Sequence, residues 1–178
     1  MISGFAKGYS ITGDGKYLHA ARNAVNFIET KVATGDGRLQ RTFKDGKSKL
    51  NAYLDDYAFY VSSLLDLFAV ESKQEYLETA IKYTDFMLGH FWDDKEGSLF
   101  FTSYDHEKLI VRTKNFYDLA IPSGNSVAAA NLLKLYHYTQ NDGYLEHAQK
   151  IMKAGARPAA ENPFGFGQML NAIYLYVK

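Results

Sequence analysis

Cysteine is absent from the 178 residues, which excludes disulfides, thiolate metal sites and thiol redox chemistry. Neither sign of charge prevails, with 20 Lys and Arg against 20 Asp and Glu. That balance argues against a nucleic-acid partner, which usually requires a concentrated basic face. No apolar run approaches the roughly eighteen residues needed to span a bilayer, and the N-terminus lacks a basic-then-apolar signal segment. The expectation is a cytoplasmic protein that neither enters a membrane nor binds nucleic acid. The five histidines have no metal-ligand spacing, so neither a metal nor a cofactor is expected. Asp93-Asp94-Lys95-Glu96-Gly97 has the look of a calcium loop, but it lacks the alternating acidic ligands and the terminal glutamate. It reads as a solvated turn.

What is present is apolar and periodic. Composition and length fit one domain over residues 1–178 with a sizeable core. The pattern Tyr-Leu-x-x-Ala begins at Tyr17, Tyr76 and Tyr144, a period of about sixty to seventy residues that leaves room for two helices and an excursion per repeat. In the second repeat Leu54, Tyr57, Ala58, Val61, Leu64, Leu65 and Phe68 recur at helical spacing, and Phe59, Tyr60 and Leu67 make the other faces apolar, so this helix is buried on most sides. The next carries a single stripe of Leu77, Ala80, Ile81, Thr84, Met87, Leu88 and Phe91, with Glu75, Glu78, Lys82 and Asp85 opposite. A buried inner helix is thus followed by an amphipathic outer one. Val127–Tyr138 and the stripe Leu145, Ala148, Met152 and Gly155 repeat the pair, as do Ile2–Ile11 and Tyr17–Val32. Phe164–Val177 adds a seventh helix. The excursions 34–53 and 93–122 carry strand signals: Leu39–Phe43 runs into the turn pair Asp45-Gly46, and Gly97–Tyr104 faces Leu109–Arg112 across Asp105-His106-Glu107. The links Thr12-Gly13-Asp14-Gly15 and Gln140-Asn141-Asp142-Gly143 are short turns whose Gly and Asn tolerate positive φ.

The motifs Leu54-Asp55-Asp56-Tyr57-Ala58-Phe59, Phe91-Trp92-Asp93, Ile110-Val111-Arg112, Tyr117-Asp118-Leu119-Ala120-Ile121-Pro122-Ser123-Gly124-Asn125-Ser126 and Phe166-Gly167-Gln168-Met169 together resemble the spermatogenesis-associated, thioredoxin-domain-containing family. The resemblance implies an all-α fold of helical hairpin repeats, about half of an α/α toroid, with short β-ribbons on one rim. The toroid is similar to the N-acylglucosamine 2-epimerases and to six-hairpin glycosidases. The family's thioredoxin-like domain and cysteine pair have no counterpart here, so its redox role does not carry over. Half a toroid leaves apolar helix faces that usually find a partner, and a homodimer is the favoured assembly; a truncated fragment is the alternative.

Asp55 and Asp56, at the first turn of an inner helix, are the catalytic candidates, because paired carboxylates serve glycosidic and proton-transfer chemistry. Adjacent helical residues diverge by about 100°, so at most one works on the substrate, while capping the helix start is the competing role. Ser123 and Asn125 open the next inner helix and are placed to hold a sugar hydroxyl, unless Ser123 is only an N-cap. Arg112, Tyr117 and Asp118 are further substrate-binding candidates or, alternatively, anchors of their loop. Tyr57, Trp92 and Gln168 complete the set, each with a packing role as the alternative. No histidine sits where epimerases of this fold use one. The expectation is a saccharide ligand and a carbohydrate-active domain, either a sugar epimerase or isomerase or a glycoside hydrolase; the alternative is a non-catalytic binding module.

Overall fold

The computed structural model describes residues 1–107 and 109–178. Its helices are α1 (Ile2–Thr12), α2 (Gly15–Phe27), α3 (Leu54–Glu71), α4 (Gln74–Phe91), α5 (Gly124–Thr139), α6 (Asp142–Glu161) and α7 (Gly167–Val177). These are the seven helices expected from the periodicity. Four strands form two antiparallel pairs, β1 (Gln40–Lys44) with β2 (Lys47–Asn51) and β3 (Trp92–Asp93) with β4 (Ser98–Leu99). Each ribbon follows the second helix of one hairpin and precedes the first helix of the next.

Two compact units can be distinguished. The first comprises Met1–Ala52 and Tyr60–Phe86, the second Tyr53–Phe59 and Met87–Lys178. In the first unit α1 packs on α2, and α2 continues into a π-helical turn, Ile28–Val32, that no sequence signal announced. The turn carries Glu29, whose carboxylate accepts hydrogen bonds from the hydroxyls of Tyr60 (2.6 Å) and Tyr83 (3.0 Å). Burial, reinforced by the Glu29 hydrogen bond, raises the Tyr60 phenol above its ordinary pKa. Arg22 donates to both oxygens of Glu71, and Tyr76 adds its hydroxyl at 3.3 Å. The β1–β2 turn is the expected Asp45-Gly46 pair, with φ of 52° and 75°, as a type I′ hairpin turn requires.

In the second unit α5 packs against both α6 and α7. Every residue from Gly124 to Leu132 is buried, so α5 is the buried helix its composition implied. α6 has the expected stripe, burying Tyr144, Ala148, Ile151, Met152, Gly155 and Ala159. α7 differs: it buries Met169 and Ala172 and leaves Tyr174, Leu175, Tyr176 and Val177 46–70% exposed. The α5–α6 link departs from expectation in one detail. The left-handed position is Gln140, with φ 55°, while Asn141 caps α6 by accepting from the Gly143 N–H at 3.0 Å.

The second ribbon is not where the alternation placed it. Residues 97–104 and 109–112 do not pair; β3 meets β4 instead, with Trp92 opposite Leu99 and Asp93 opposite Ser98. Asp93-Asp94-Lys95-Glu96-Gly97 is therefore a hairpin turn, closed by a bond from the Gly97 N–H to the Asp93 carbonyl (2.9 Å). Side chains and single backbone bonds rather than a ladder hold the remaining backbone, and they decide what the site looks like.

Candidate functional site

All ten residues nominated from the sequence fall in the second unit, and they divide by what their side chains touch. Asp56 is the third residue of α3 and its Oδ2 accepts from the Tyr53 N–H at 2.8 Å. It closes the helix start in the manner of the returning half of a capping box. Asp55 is half-buried and does something else. Its Oδ1 lies so close to α5 that a Cβ added to Gly124 would stand 2.5 Å from it, and 2.7 Å from Leu54 Cγ. Gly124 is the first residue of α5, so the Asp55 carboxylate is set beside the amino-terminal, positive end of that helix. Adjacent carboxylates thus have separate surroundings.

The groups expected to position a ligand are largely taken up by the fold. Ser123 is the N-cap of α5. Its Oγ accepts from the Ser126 N–H (3.2 Å) and meets Ser126 Oγ at 2.8 Å. The Asn125 side chain is fully buried. Its Nδ2 donates to the carbonyls of Leu99 (2.9 Å) and Asn115 (3.0 Å), and its Oδ1 accepts from the Leu99 N–H (2.9 Å), so one amide ties β4 to the segment before α5. Asp118 joins two helix starts: Oδ1 accepts from the Ser123 N–H (2.8 Å), and Oδ2 from the N–H groups of Gln168 (2.8 Å) and Met169 (3.2 Å) in the first turn of α7.

Arg112 is likewise an anchor. It donates to the Thr102 carbonyl through Nε (3.1 Å) and Nη2 (2.5 Å), and its guanidinium lies 4.0 Å from the Phe100 ring centroid. Burial lowers its pKa from the ordinary arginine value. Lys114 pairs with Asp93 and with Glu96. Burial opposes its charge, but the hydrogen bonds to the two carboxylates outweigh that and hold the ammonium above its usual range. The Lys114 bond in turn keeps Asp93 below its own. Tyr57 is 1% exposed and tilts against Phe91; it is core. Trp92 sets its ring edge-on to His147, centroids 4.5 Å apart. Tyr117 is packed on Phe166 and accepts from Asn162 Nδ2. Its ring covers Gly165, where any added Cβ would collide with it. Gln168 is half-buried at the second position of α7.

The sequence missed the aromatic surroundings of Asp55 and Asp56. Tyr53, directly before α3, stacks on Phe101 (4.7 Å, 23°) and on His106 (5.3 Å, 28°), and the Leu54 N–H donates to the Phe101 carbonyl at 3.0 Å. His106 and Tyr53 are 53 residues apart with no shared periodicity, so no pattern could have joined them. Among the described residues no group of three or more His, Asp or Glu is placed to hold a metal ion, and no helix is long and apolar enough to cross a membrane.

Spermatogenesis-associated protein 20 of Rattus norvegicus matches the chain at 31% identity over 183 residues, 97% of this chain and 23% of the relative. The chain is homologous to the spermatogenesis-associated protein 20 proteins. The human protein of that name matches at 29% over the same share of the chain, and so does an uncharacterised protein of Caenorhabditis elegans, of which 24% is covered. The chain thus spans about a quarter of the length of the curated relatives it matches. No family model matches it. Among solved structures, a family 76 α-mannanase of Bacteroides thetaiotaomicron superposes with TM-score 0.72 at 15% identity, over 98% of this chain and 49% of that one. Cellobiose 2-epimerase from Spirochaeta thermophila gives 0.69 at 17%, over 85% and 40%, and a D-mannose isomerase 0.67 at 20%, over 86% and 39%. These likenesses establish the fold: helical hairpins of the α/α-toroid kind, about half the length of the toroid enzymes.

Proposed function

We propose that the chain is a carbohydrate-active domain that takes a saccharide against the start of α3, with Asp55 as its acid/base carboxylate. The observation that carries this reading is the separation of the two aspartates. Asp56 accepts from the Tyr53 N–H at the helix start, whereas Asp55 lies beside the first residue of α5. A helix amino terminus favours a negative charge set beside it, and proton transfer by one positioned carboxyl group contributes about a hundredfold or more to rate. The toroid neighbours are named for mannan, mannose and cellobiose chemistry, which supports a neutral saccharide as the ligand class. The reaction is an epimerisation or isomerisation, or a glycoside hydrolysis. Gln168, Tyr117 and Trp92 keep the substrate-binding role under this proposal.

The test is turnover of mannose, cellobiose and α-mannosides. Asp55→Asn is expected to lower kcat by about a hundredfold or more, while Asp56→Asn keeps most of kcat and loses about 1 kcal/mol of stability through the weakened helix start. Turnover that survives the double change sinks the catalytic assignment. A binding module without turnover is the second reading, favoured by the capture of Ser123, Asn125, Asp118 and Arg112 in internal bonds. Binding of the same sugars with no product would support it. The exposed apolar end of α7, in a chain half as long as the toroids it matches, supports self-association through a second copy. Light scattering of the purified chain decides this: a dimer mass agrees, and a monomer at micromolar concentration does not.

A further inference from the structure

Residues 98–106 combine a well-tied backbone with several buried side-chain polar atoms that have no hydrogen-bond partner among the described residues. The Phe101 N–H donates to the Thr113 carbonyl (2.8 Å), the Phe101 carbonyl accepts from Leu54, and the Tyr104 N–H donates to the His90 carbonyl (2.9 Å). The Thr102 carbonyl is held by Arg112. Yet the hydroxyls of Thr102 and Ser103 and the Nδ1 of His106 are buried without a hydrogen-bond partner among the described residues, although Thr102 and Ser103 are only 5% and 2% exposed. An unmet buried polar group costs about 1–3 kcal/mol, and three within five residues of one segment call for an explanation. The same segment carries Phe101 and His106, which stack on Tyr53 immediately before Asp55.

We propose that Thr102, Ser103 and His106 form a subsite for a pyranose ring next to Asp55. The proposal rests on the saccharide reading above and assigns the part of the chain that would hold the sugar. A pyranose offers a rim of hydroxyls that both donate and accept. Hydroxyl side chains and an imidazole nitrogen meet such groups with hydrogen bonds. An anion fits poorly, because Asp105 and Glu107 flank His106 and Asp55 and Asp56 closely follow Tyr53 in the sequence. A χ1 rotation turns a serine or threonine hydroxyl from one staggered position to another at little cost. Here it breaks no existing hydrogen bond, so the ligand's bonds are gained without loss elsewhere. The locked backbone means that little loop ordering has to be supplied on binding.

The test is calorimetric titration of the whole chain with methyl α-D-mannopyranoside and with cellobiose. Wild type, Thr102→Val/Ser103→Ala and His106→Ala are compared, each with its thermal unfolding curve. At least one sugar is expected to bind saturably. The Thr102→Val/Ser103→Ala chain and His106→Ala are each expected to weaken that binding about tenfold or more, equivalent to about 1.4 kcal/mol. The double hydroxyl variant is expected to unfold no lower than wild type, because it removes orphaned groups. Unchanged affinity in that variant overturns the subsite, and so does a lowered unfolding temperature, which would assign the hydroxyls to the fold. Neither result touches the role of Asp55, which stands or falls on kcat. Failure of wild type to bind either sugar overturns the subsite as well.

Discussion

The two units solve the same problem, satisfying the polar groups set among their helices, in opposite ways. In the first, charged and phenolic side chains satisfy one another: Glu29 with Tyr60 and Tyr83, Arg22 with Glu71 and Tyr76. In the second, polar side chains satisfy backbone: Asn125 holds Leu99 and Asn115, Asp118 holds the starts of α5 and α7, and Arg112 holds Thr102. Irregular chain is what makes the difference. Residues 100–107 and 109–123 form no ladder, and their buried N–H and carbonyl groups still need partners. The lesson is that polar residues clustered near a helix start are not free for a ligand until the backbone around them has been served.

Breaking the second unit's arrangement should cost most. Asn125→Ala strands the buried N–H and carbonyl of Leu99 and frees the part-buried Asn115 carbonyl, and an unfolding free energy lower by about 2–4 kcal/mol is expected, read by urea denaturation. Gly124→Ala follows. Its methyl would enter the space of Asp55 Oδ1 and the buried Leu54 side chain, and about 1–3 kcal/mol is expected from overpacking, with any turnover lost through the displaced Asp55. The first unit should instead respond to pH. The Arg22 hydrogen bond, helped by Lys73, holds Glu71 below its ordinary pKa. Its folded pKa is depressed, so its contribution is present above the unfolded value of about 4.3 and is lost as pH falls through the lower, folded one. Glu71→Gln should flatten the acid limb of a stability-versus-pH curve below about pH 5, and Asn125→Ala should leave that slope unchanged. The smallest effect tests a backbone position. Gln140→Gly relieves a left-handed φ worth about 1–2 kcal/mol, offset by about 0.5–1 kcal/mol of glycine entropy. A gain of about 1 kcal/mol or less is expected, seen as a slightly higher unfolding temperature.

The helices were legible because their order comes from burial, and burial writes a period of 3.6 into the sequence. All seven follow it, from the stripe of α4 to the all-round apolar α5. The Asp45-Gly46 turn was legible because its chemistry is local. The second ribbon was not. Leu109–Arg112 looks like a strand by composition, but Arg112 spends its side chain on the Thr102 carbonyl and no ladder forms. For the same reason Ser123 and Asn125 had the right residue types for a sugar and the wrong company. The Tyr53–His106 contact depends on where a loop returns, which no local pattern encodes. α7 is apolar along its last turns, yet it leaves Tyr174, Leu175, Tyr176 and Val177 exposed.

The edge-on contact of Trp92 with His147 gives the protein a built-in optical label. Trp92 is the only indole in the chain, and it sits in the second unit, so tryptophan emission follows that unit while the far-ultraviolet dichroism of the helices follows both. Fluorescence and dichroism recorded on one sample therefore show whether the two units melt together or in sequence, without a dye, a tag or a substitution.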